Sequence, residues 1–229
     1  MTILDLLFPK KCLGCGRTGS YFCSHCLNFV SLSSERICPV CERSSIGGLT
    51  HPRCHSATSL DGLTSVFAYK GLIKRAIVNL KYRFVSDLAH DLTELFLSFC
   101  GEDKTFSRIC RSKEAILVPI PLHPRRERWR GFNQSELLGK IIAENLGINF
   151  SPDLLIRIKN TTPQIKLKEK ERKTNIQDAF RVSPSHPIIQ SSNILLFDDV
   201  WTSGATLKEA CRTLKRAGAK MVWGLTIAR

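Results

Sequence analysis

Apolar residues recur along most of the chain in two alternating patterns, one typical of buried strands and the other of amphipathic helices. Short continuous apolar runs predict strands at residues 66–69, 115–118, 154–158, 179–182, 194–197 and 221–228. Apolar residues three and four positions apart predict helices within residues 72–80, 88–99, 133–146 and 207–217. Strands that alternate with helices in this way predict an α/β fold with a doubly wound, mainly parallel sheet.

The apolar run at residues 194–197 leads into two adjacent carboxylates and then into a short loop rich in hydroxyl groups. Asp198 and Asp199 stand at the carboxyl end of the predicted strand, where open α/β sheets bind their ligands. In the loop, Gly204 allows an anion to approach the backbone closely, and hydroxyl donors are provided by Thr202, Ser203 and Thr206. The amides at the start of the following helix add partial positive charge, so the loop predicts a phosphate site.

Paired carboxylates beside a phosphate site suit one class of ligand in particular. They accept hydrogen bonds from neighbouring hydroxyls and can help to hold Mg²⁺, so the ester of a polyhydroxylated sugar fits the arrangement. The alternative is a buried strand that ends in a solvated, helix-capping pair of aspartates. We favour the ligand site because strand, acidic pair, hydroxyl loop and amphipathic helix occur together in the required order.

The first 58 residues carry a repeated cysteine pattern and few periodic apolar positions. Most of the 10 cysteines fall in pairs with a two-residue gap, here called knuckles, which let two side chains hold one metal ion. The knuckles are Cys12 with Cys15, Cys23 with Cys26, Cys38 with Cys41, and His51 with Cys54. They predict a double zinc ribbon at residues 1–58, in which structural zinc replaces the missing core, followed by one domain at residues 59–229.

Two points about this ribbon stay open at the level of sequence. Proximity pairs the first knuckle with the second and the third with the fourth, whereas an interleaved pairing uses the same ligands. His55 competes with His51 for the fourth position of the second site. Cysteines without metal, or with redox chemistry, are the general alternative. The thiols outside the pattern are interpreted as packing residues or as incidental thiols: Cys100, Cys110 and Cys211.

Positive charge is concentrated in two segments of a chain whose formal net charge is +14. The residues concerned are Arg125, Arg126, Arg128, Arg130, Lys166, Lys168, Lys170, Arg172 and Lys173. Such a surface favours a polyanionic partner, and Trp129 and Phe132 offer stacking platforms for the bases of single-stranded DNA. The alternatives are a solvated basic face and a charge that only keeps the protein soluble.

The sequence also predicts a cellular location. No apolar run reaches the length of a membrane span, and the apolar positions within residues 3–8 are too few for a signal peptide. We therefore expect a cytosolic protein, in which cysteines bind metal more often than they form disulfides.

The motifs together resemble those of the ComF (competence protein F) family, and the resemblance covers nearly the whole chain. Family members share a zinc ribbon, Lys-Tyr, Arg-Gly-Phe-Asn-Gln, Thr-x-x-Gln, Glu-Arg-x-x-Asn-x-x-x-Ala-Phe and a phosphoribosyl-pyrophosphate (PRPP) motif. Here these stand at residues 12–54, 81–82, 130–134, 161–164, 171–180 and 194–206. The chain departs from the pattern at His51, where a cysteine is usual. The resemblance implies a type I phosphoribosyltransferase fold behind the ribbon.

The resemblance also implies roles for individual residues. Asp198 and Asp199 would hold the ribose hydroxyls of PRPP bound with Mg²⁺, and its 5-phosphate would be held by Thr202, Ser203, Gly204, Ala205 and Thr206. Lys81 would contact a phosphate, and the loop at residues 121–126, with Arg125 and Arg126, would take the pyrophosphate. Residues 159–178 would form a flap that shields the reaction from water.

Two functions follow from the resemblance. In the first, the chain binds PRPP or a nucleotide and handles single-stranded DNA during natural transformation or use of external DNA. Its partner would be a translocating helicase at the inner face of the cytoplasmic membrane or a single-strand-handling protein. In the second, it is an enzyme that transfers the phosphoribosyl group to a base or an amine.

An amidotransferase is disfavoured, because such enzymes use an amino-terminal cysteine nucleophile and Cys12, the first cysteine, lies within a knuckle. We favour the function in ligand and DNA binding and leave catalysis open.

Overall fold

A computed structural model describes residues 9–33, 35–82, 86–101, 103–112, 114–161, 174–184 and 193–229. The strands of its central sheet are β1 (Gly62–Phe67), β2 (Ala115–Pro119), β3 (Asn149–Phe150), β6 (Asn193–Val200) and β7 (Met221–Ala228). They are parallel and lie in the order β1-β7-β6-β2-β3. The predicted α/β fold with a mainly parallel sheet is therefore confirmed.

Helices cover both faces of this sheet. The α-helices along the described chain are α1 (Ser24–Leu27), which lies in the ribbon, and then α2 (Gly71–Tyr82), α3 (Ser86–Cys100), α4 (Lys104–Cys110), α5 (Pro124–Arg130), α6 (Gln134–Leu146) and α7 (Ala205–Arg216). Leu195 and Phe197 of β6 pack against α2, α3 and α6, whereas Ile194 and Leu196 pack on the other face, against α7. Because neighbouring residues enter two different cores, the whole run is apolar. None of the described helices combines the length and apolar character that crossing a bilayer requires.

Two predicted strands leave the main sheet. β4 (Leu155–Arg157) and β5 (Phe180–Val182) form a separate antiparallel pair. Leu155 and Phe180 pack into the same core as α7, which places this pair beside the sheet rather than within it. Apolar runs predict that such segments are strands, but they carry no information about which strand pairs with which.

The observed bounds differ from the predicted ones where polar residues are buried. β1 starts at Gly62 rather than at residue 66. The apolar run predicts too late a start because Thr64 and Ser65, which are polar, are buried inside the strand. The Trp223 Nε1 donates a hydrogen bond to Thr64 Oγ1 at 3.1 Å, which satisfies that hydroxyl. A hydroxyl with a hydrogen-bond partner can be buried, so the apolar pattern alone does not predict where this strand begins.

Helices α4 and α5 are too short for an apolar repeat and are not predicted. α4 begins after Asp103, whose Oδ1 accepts from the Thr105 amide at 2.9 Å. α5 begins at Pro124, and the His123 Nδ1 accepts from the Arg125 amide at 3.2 Å. Proline suits the first position of a helix, so the proline-rich exit from β2 continues into helix. The expected loop at residues 121–126 is therefore wrong from residue 124 onward, and Arg125 and Arg126 lie on α5.

The ribbon is attached to the sheet domain through its backbone and through both of the cores. Isolated antiparallel bridges pair Leu32 with Phe67 and Leu49 with Gly62. Ile37 is buried in the same core as α7. Partly buried apolar side chains of the ribbon pack against the other core: Leu13, Tyr21, Phe22 and Val30. The ribbon therefore packs against the edge strand β1 and against the cores on both faces of the sheet.

Candidate functional site

Two clusters of metal-ligating side chains form in the ribbon, each from two knuckles. The first contains Cys12, Cys15, Cys23 and Cys26, and the second contains Cys38, Cys41, His51 and Cys54. Within each cluster the ligand atoms lie within 4.8 Å of one another. This spacing fits one tetrahedral zinc ion per cluster, and neighbouring knuckles pair as proximity predicts.

His51, not His55, completes the second cluster. Its Nδ1 lies 3.4 Å from the Cys41 Sγ, and its Nε2 donates to the Ser44 carbonyl at 3.0 Å. That hydrogen bond assigns the proton to Nε2 and leaves the lone pair of Nδ1 facing the cluster. The His55 Nε2 instead lies 3.1 Å from the Asp61 Oδ1, so it is excluded as the competing ligand.

Charge and space in both clusters fit a bound cation. A hydrogen bond from the Arg43 backbone lowers the pKa of the Cys41 thiol to about 6, whereas desolvation and hydrogen bonding with Cys23 raise the pKa of Cys26 to about 12. Thiolates packed this closely repel one another unless a cation joins them. Gly14 keeps the space open, because a Cβ there would lie 2.5 Å from the Cys26 Sγ. Both clusters therefore fit structural zinc with a complete set of protein ligands.

The cysteines outside the clusters pack elsewhere. Cys100 and Cys211 are buried in the two cores, and Cys110 is half-buried. Burial raises the pKa of Cys110 and Cys211 to about 12, so neither forms a reactive thiolate at neutral pH. All three therefore pack in or against a core, which selects the first of the two interpretations given above for thiols outside the pattern.

The two aspartates lie where β6 ends, and they have different partners. Asp198 is half-buried, and its Oδ1 accepts hydrogen bonds from the Ser135 Oγ and the Asp199 amide, both at 2.9 Å. Asp199 is buried, and its Oδ2 lies 2.6 Å from the Lys81 Nζ. Lys81 thus reaches the site from the last turn of α2, with one of its donors directed at a carboxylate.

Burial changes the charge of this pair. Desolvation, and then the charge of Asp199, raise the pKa of Asp198 to about 7. Desolvation lowers the pKa of Lys81, but the charge of Asp199 outweighs it and raises that pKa above its ordinary value. At neutral pH Lys81 is therefore a cation paired with Asp199, while Asp198 is poised between its protonated and ionised forms.

The loop between β6 and α7 is shaped by a tryptophan that packs against it. Trp201 is buried, Gly204 has a φ of 66°, and a Cβ at position 204 would lie 2.2 Å from the Trp201 ring. This N-cap glycine has no side chain to accept from the first-turn amides of α7. The Ser203 Oγ is buried and has no hydrogen-bond partner among the described residues. An unpaired buried hydroxyl beside helix amides fits an oxyanion as its missing partner.

Lys208, one turn into α7, links this loop to the ribbon. Its Nζ lies 3.0 Å from the Glu42 Oε1, 3.4 Å from the Ser203 carbonyl and 5.2 Å from the centroid of the Trp201 ring. Glu42 directly follows the zinc ligand Cys41 and has a left-handed φ of 61°. Lys208 therefore contacts both a zinc knuckle and the loop between β6 and α7.

Helix α5 presents a surface that suits contact with a polyanion. Arg125 and Arg128 are exposed, and Trp129 is 75% exposed. A large exposed ring between arginines provides a stacking platform for a base. Phe132 is half-buried, which covers part of the second predicted platform, and Arg130 donates to the side chain at the start of α6.

Arg126 of α5 is half-buried and shares a hydrogen-bond partner with Arg157 of β4. Arg126 donates to the Thr161 carbonyl, and Arg157 donates to the Thr161 hydroxyl. Arg157 is 6% exposed, and its guanidinium carbon lies 5.6 Å from the centroid of the Phe180 ring. Desolvation, and then the charge of Arg126, lower the pKa of Arg157 to about 10. Two like charges are thus held together at one threonine.

Part of the predicted basic surface lies outside the described residues. This applies to the Thr-x-x-Gln motif after Thr161, to most of the segment expected as a flap, and to Lys166, Lys168, Lys170, Arg172 and Lys173. Where the chain is described again it runs beside α7, and the Asp178 amide donates to the Glu209 Oε1 at 2.9 Å.

Ser135 and Arg157 belong to the site although no motif singles them out. The Asn133 side chain caps α6 by accepting from the Ser135 amide at 3.1 Å, which turns the Ser135 hydroxyl towards β6. Arg157 is the charged residue of a short apolar strand. The apolar pattern predicts that this strand is buried. A charged residue within it is therefore the sequence signal that could have identified Arg157 as a site residue.

Two family models match the chain. A model described as "Double zinc ribbon domain" matches residues 3–56. A model described as "Phosphoribosyl transferase domain" matches residues 135–228, which include Ser135, both aspartates and the loop that follows them.

Curated proteins with related sequences have names that refer to competence or to DNA. The chain is 30% identical over 215 residues to Competence protein ComFC of Bacillus subtilis, covering 90% of this chain and 83% of that protein. It is 36% identical over 117 residues to Competence protein F of Haemophilus influenzae, covering 50% of this chain and 51% of that protein. It is 29% identical over 218 residues to DNA utilization protein YhgH of Salmonella typhimurium, covering 87% of this chain and 93% of that protein.

Proposed function

The chain belongs to the ComF family, and from this premise we propose that it binds PRPP with Mg²⁺ at the end of β6 and handles single-stranded DNA on its basic surface. In this proposal residues 1–58 are the double zinc ribbon and residues 59–229 the phosphoribosyltransferase-like domain of a cytoplasmic protein. The names of the relatives support a role in competence or DNA utilization. The family match over residues 135–228 supports a phosphoribosyl ligand.

One observation carries the ligand assignment, namely the Ser203 hydroxyl in the loop that follows the aspartates, which is buried and has no hydrogen-bond partner among the described residues. The 5-phosphate would accept hydrogen bonds from this hydroxyl, and further contacts would come from Thr202, Gly204, Ala205 and Thr206. The amides at the start of α7 favour negative charge there. Asp198 and Asp199 would accept hydrogen bonds from the ribose hydroxyls.

Mg²⁺ would enter the site with the diphosphate of the ligand and neutralise part of its charge. Asp198 is the carboxylate best placed to contact it, because among the described residues both hydrogen bonds to this side chain go to Oδ1, which leaves Oδ2 for a cation or a hydroxyl. Lys81 already balances the charge of Asp199 at 2.6 Å. The amino group of Lys81 has further donors with which to contact a phosphate of the ligand.

Single-stranded DNA would follow α5, with its phosphates on the arginines and a base stacked on the exposed Trp129. The residues proposed for this surface are Arg128, Arg130, Lys166, Lys168, Lys170, Arg172 and Lys173. A translocating helicase or a single-strand-handling protein is the partner that this role calls for.

Calorimetry with PRPP and Mg²⁺ tests the ligand site. The double variant Asp198→Asn, Asp199→Asn should lose at least about 100-fold in affinity, because each lost charge-assisted hydrogen bond costs about 1.5–3 kcal/mol. Glu144 and Asp153 are exposed, so the matched double variant Glu144→Gln, Asp153→Asn should bind like the wild type. Equal affinity in the two double variants would remove the site assignment.

Fluorescence anisotropy of a labelled single strand tests the DNA surface. Affinity should fall steeply with salt, because each neutralised phosphate adds about −0.7 to the slope of log affinity against log salt. Arg128→Gln should reduce the slope by one phosphate, and Trp129→Ala should weaken binding without changing the slope. A flat salt dependence of the wild type would end the electrostatic argument.

The alternative function is phosphoribosyl transfer to a base or an amine, and the phosphoribosyl transferase match favours it. Pyrophosphate release from PRPP, measured against a panel of bases and amines, separates the two functions. Acceptor-dependent release that is lost in the double aspartate variant would establish an enzyme. Tight PRPP binding without release for any acceptor supports a ligand-binding role.

A further inference from the structure

The first and third knuckles of the ribbon end in the same turn but with different residues. Cys15 is followed by Gly16, whose φ is 78°, and Cys41 is followed by Glu42, whose φ is 61°. In both turns the amide of this residue donates to the carbonyl of the first cysteine of the knuckle, at 2.8 and 2.9 Å. A left-handed backbone favours glycine, so the turn itself gives no reason for a glutamate at position 42. Strain of this kind directs attention to the side chain that is kept in spite of it.

The Glu42 side chain reaches α7 and contacts Lys208. Its Oε1 lies 3.0 Å from the Lys208 Nζ. The same Nζ lies over the Trp201 ring, and that ring packs against Gly204. A cation over the face of an aromatic ring is attracted to it, so the carboxylate and the ring hold the ammonium group together.

The position of this ammonium group determines the orientation of one peptide group in the loop. The Lys208 Nζ donates to the Ser203 carbonyl at 3.4 Å. Because a peptide unit is planar and almost always trans, the C=O of Ser203 and the N–H of Gly204 point in opposite directions. Lys208 therefore turns the Gly204 amide away from itself. Gly204 is the N-cap residue of α7, at the helix end whose amides favour an anion.

We infer that Lys208, held by Glu42 of the ribbon, is a positioning residue that orients the Ser203–Gly204 peptide for binding of the 5-phosphate. This arrangement is here called the lysine clamp. The inference rests on the proposed function, because it takes the loop after β6 to be the phosphate site. Lys208 acts through the peptide rather than on the ligand. The ribbon thereby contributes to ligand affinity, because Glu42 belongs to the ribbon and the loop to the sheet domain.

A simpler role for Lys208 is that of a positive charge near the phosphate, and the two roles predict opposite effects of Glu42. The carboxylate neutralises the ammonium group. If charge alone mattered, removal of the carboxylate would strengthen the binding of an anion. If Glu42 holds Lys208 against Ser203, its removal weakens binding although the protein gains positive charge. The sign of the effect therefore separates the two roles.

Calorimetry with ribose 5-phosphate and the zinc-loaded full chain measures this sign. Glu42→Gln should weaken binding by about two- to fivefold, because the pair is partly exposed. Lys208→Met should weaken it by about three- to tenfold, as expected for one hydrogen bond. Lys208→Arg keeps a cation that can contact carboxylate, carbonyl and ring, so it should bind nearly like the wild type. Unchanged or tighter binding in Glu42→Gln would overturn the inference.

Matched controls make the same changes of charge elsewhere in the chain. Glu35→Gln removes an exposed carboxylate from the ribbon, and Arg216→Gln removes an exposed cation from the last turn of α7. Both variants should bind ribose 5-phosphate like the wild type. A loss in either control as large as that in Glu42→Gln or Lys208→Met would show a general effect of charge and overturn the inference.

Glu42→Gly separates ligand binding from stability. Glycine suits the left-handed turn, as Gly16 does in the first knuckle, so the melting temperature should not fall. The affinity for ribose 5-phosphate should nevertheless fall as in Glu42→Gln, because the carboxylate is lost. A Glu42→Gly variant that binds as tightly as the wild type would show that the contact serves the ribbon alone.

A measurement without ligand separates this inference from the proposed function. In protein labelled with isotope-enriched glycine, the NMR resonance of the Gly204 amide should shift in Lys208→Met and in Glu42→Gln, whereas that of Gly147 should not. If that resonance shifts but the wild type does not bind ribose 5-phosphate, the lysine clamp stands and the phosphate assignment falls. If the wild type binds and neither the resonance nor the affinity changes in the variants, the phosphate assignment stands and the lysine clamp falls.

Discussion

The ribbon and the sheet domain of this protein are stabilised in different ways. In the sheet domain the central strands bury nearly all their side chains between helices, and Leu195, Phe197 and Trp223 are at most 1% exposed. In the ribbon the buried apolar side chains include Cys12 and Cys38, which are themselves metal ligands. The comparison teaches that the ribbon depends on zinc for its stability, whereas the sheet domain depends on apolar burial.

The contacts between the two regions are also uneven. The half of the ribbon with the second cluster shares a core with α7 through Ile37, and its Gly48 packs so closely that a Cβ there would lie 2.1 Å from the Leu63 carbonyl oxygen. Among the described residues, the half with the first cluster contributes no fully buried side chain to that core. It is held by the hydrogen bond from Arg75 to the Gly14 carbonyl at 3.3 Å and by apolar side chains that are only partly buried against the core of α2, α3 and α6: Leu13, Tyr21, Phe22 and Val30. Loss of the second zinc ion should therefore disturb the sheet domain more than loss of the first.

Removal of zinc should have the largest effect and tests the comparison directly. A chelator should unfold the ribbon, because structural zinc sites bind with apparent free energies of about 10–16 kcal/mol. Limited proteolysis with mass spectrometry should show cleavage within residues 9–58 and protection from β1 to β7. Protection of the ribbon after complete loss of zinc would show that apolar packing suffices there.

Gly204→Ala should damage the ligand site of the sheet domain and leave the ribbon intact. The left-handed backbone and the clash with the Trp201 ring predict a loss of about 1–3 kcal/mol in the free energy of unfolding. Denaturant unfolding measures that loss, and calorimetry measures the accompanying loss of PRPP affinity. Gly147→Ala is the control, because Gly147 also has a positive φ but a Cβ there would meet no other atom within 4 Å. Normal PRPP affinity in Gly204→Ala would contradict the assignment of the loop.

The pH dependence of PRPP affinity should be the next largest effect. Asp198 has a pKa raised to about 7, so it is ionised above that pH and becomes protonated below it. Since hydroxyls and Mg²⁺ need the ionised form, affinity should fall by up to about tenfold per pH unit below 7. Asp198→Asn should remove the part of the pH dependence that comes from Asp198 and leave the part that comes from the ligand's own phosphates. Identical pH profiles for the wild type and the variant would refute the role of Asp198.

The contact between Glu42 and Lys208 should give the smallest effect and tests whether the two regions are linked. A double-mutant cycle with Glu42→Gln and Lys208→Gln should give a coupling of about 0.2–1 kcal/mol, because the pair is partly exposed and screened by solvent. Unfolding free energies measure this coupling in zinc-loaded protein. Coupling of the same size after zinc removal would show that the knuckle does not position Glu42.

The sequence predicts those features that depend on neighbouring residues. The ligand sets follow from two-residue gaps within knuckles, and β7 and the helices around residues 72–80 and 133–146 follow from apolar spacing. The choice of His51 over His55 cannot be predicted from the sequence. It depends on contacts with the Ser44 carbonyl and with Asp61, which form only in the folded protein.

The candidate site shows the same limit. Asp198, Asp199 and the loop after them are contiguous, so one motif identifies them. Arg126 and Arg157 meet at Thr161 only because β4 leaves the main sheet and pairs with β5, and no local spacing encodes that pairing. Ser135 reaches Asp198 across 63 residues of sequence because α6 packs against β6, a contact that no local spacing encodes either.

The central claim is that the loop after β6 holds the 5-phosphate of a phosphorylated pentose. Phosphorus NMR of magnesium PRPP tests it most directly, because the 5-phosphate and the diphosphate give separate resonances and each end of the ligand is observed on its own. With wild-type protein we expect both sets of resonances to shift, and with Gly204→Ala we expect the shift of the 5-phosphate to be lost. A 5-phosphate resonance that does not move at saturating wild-type protein would contradict the account.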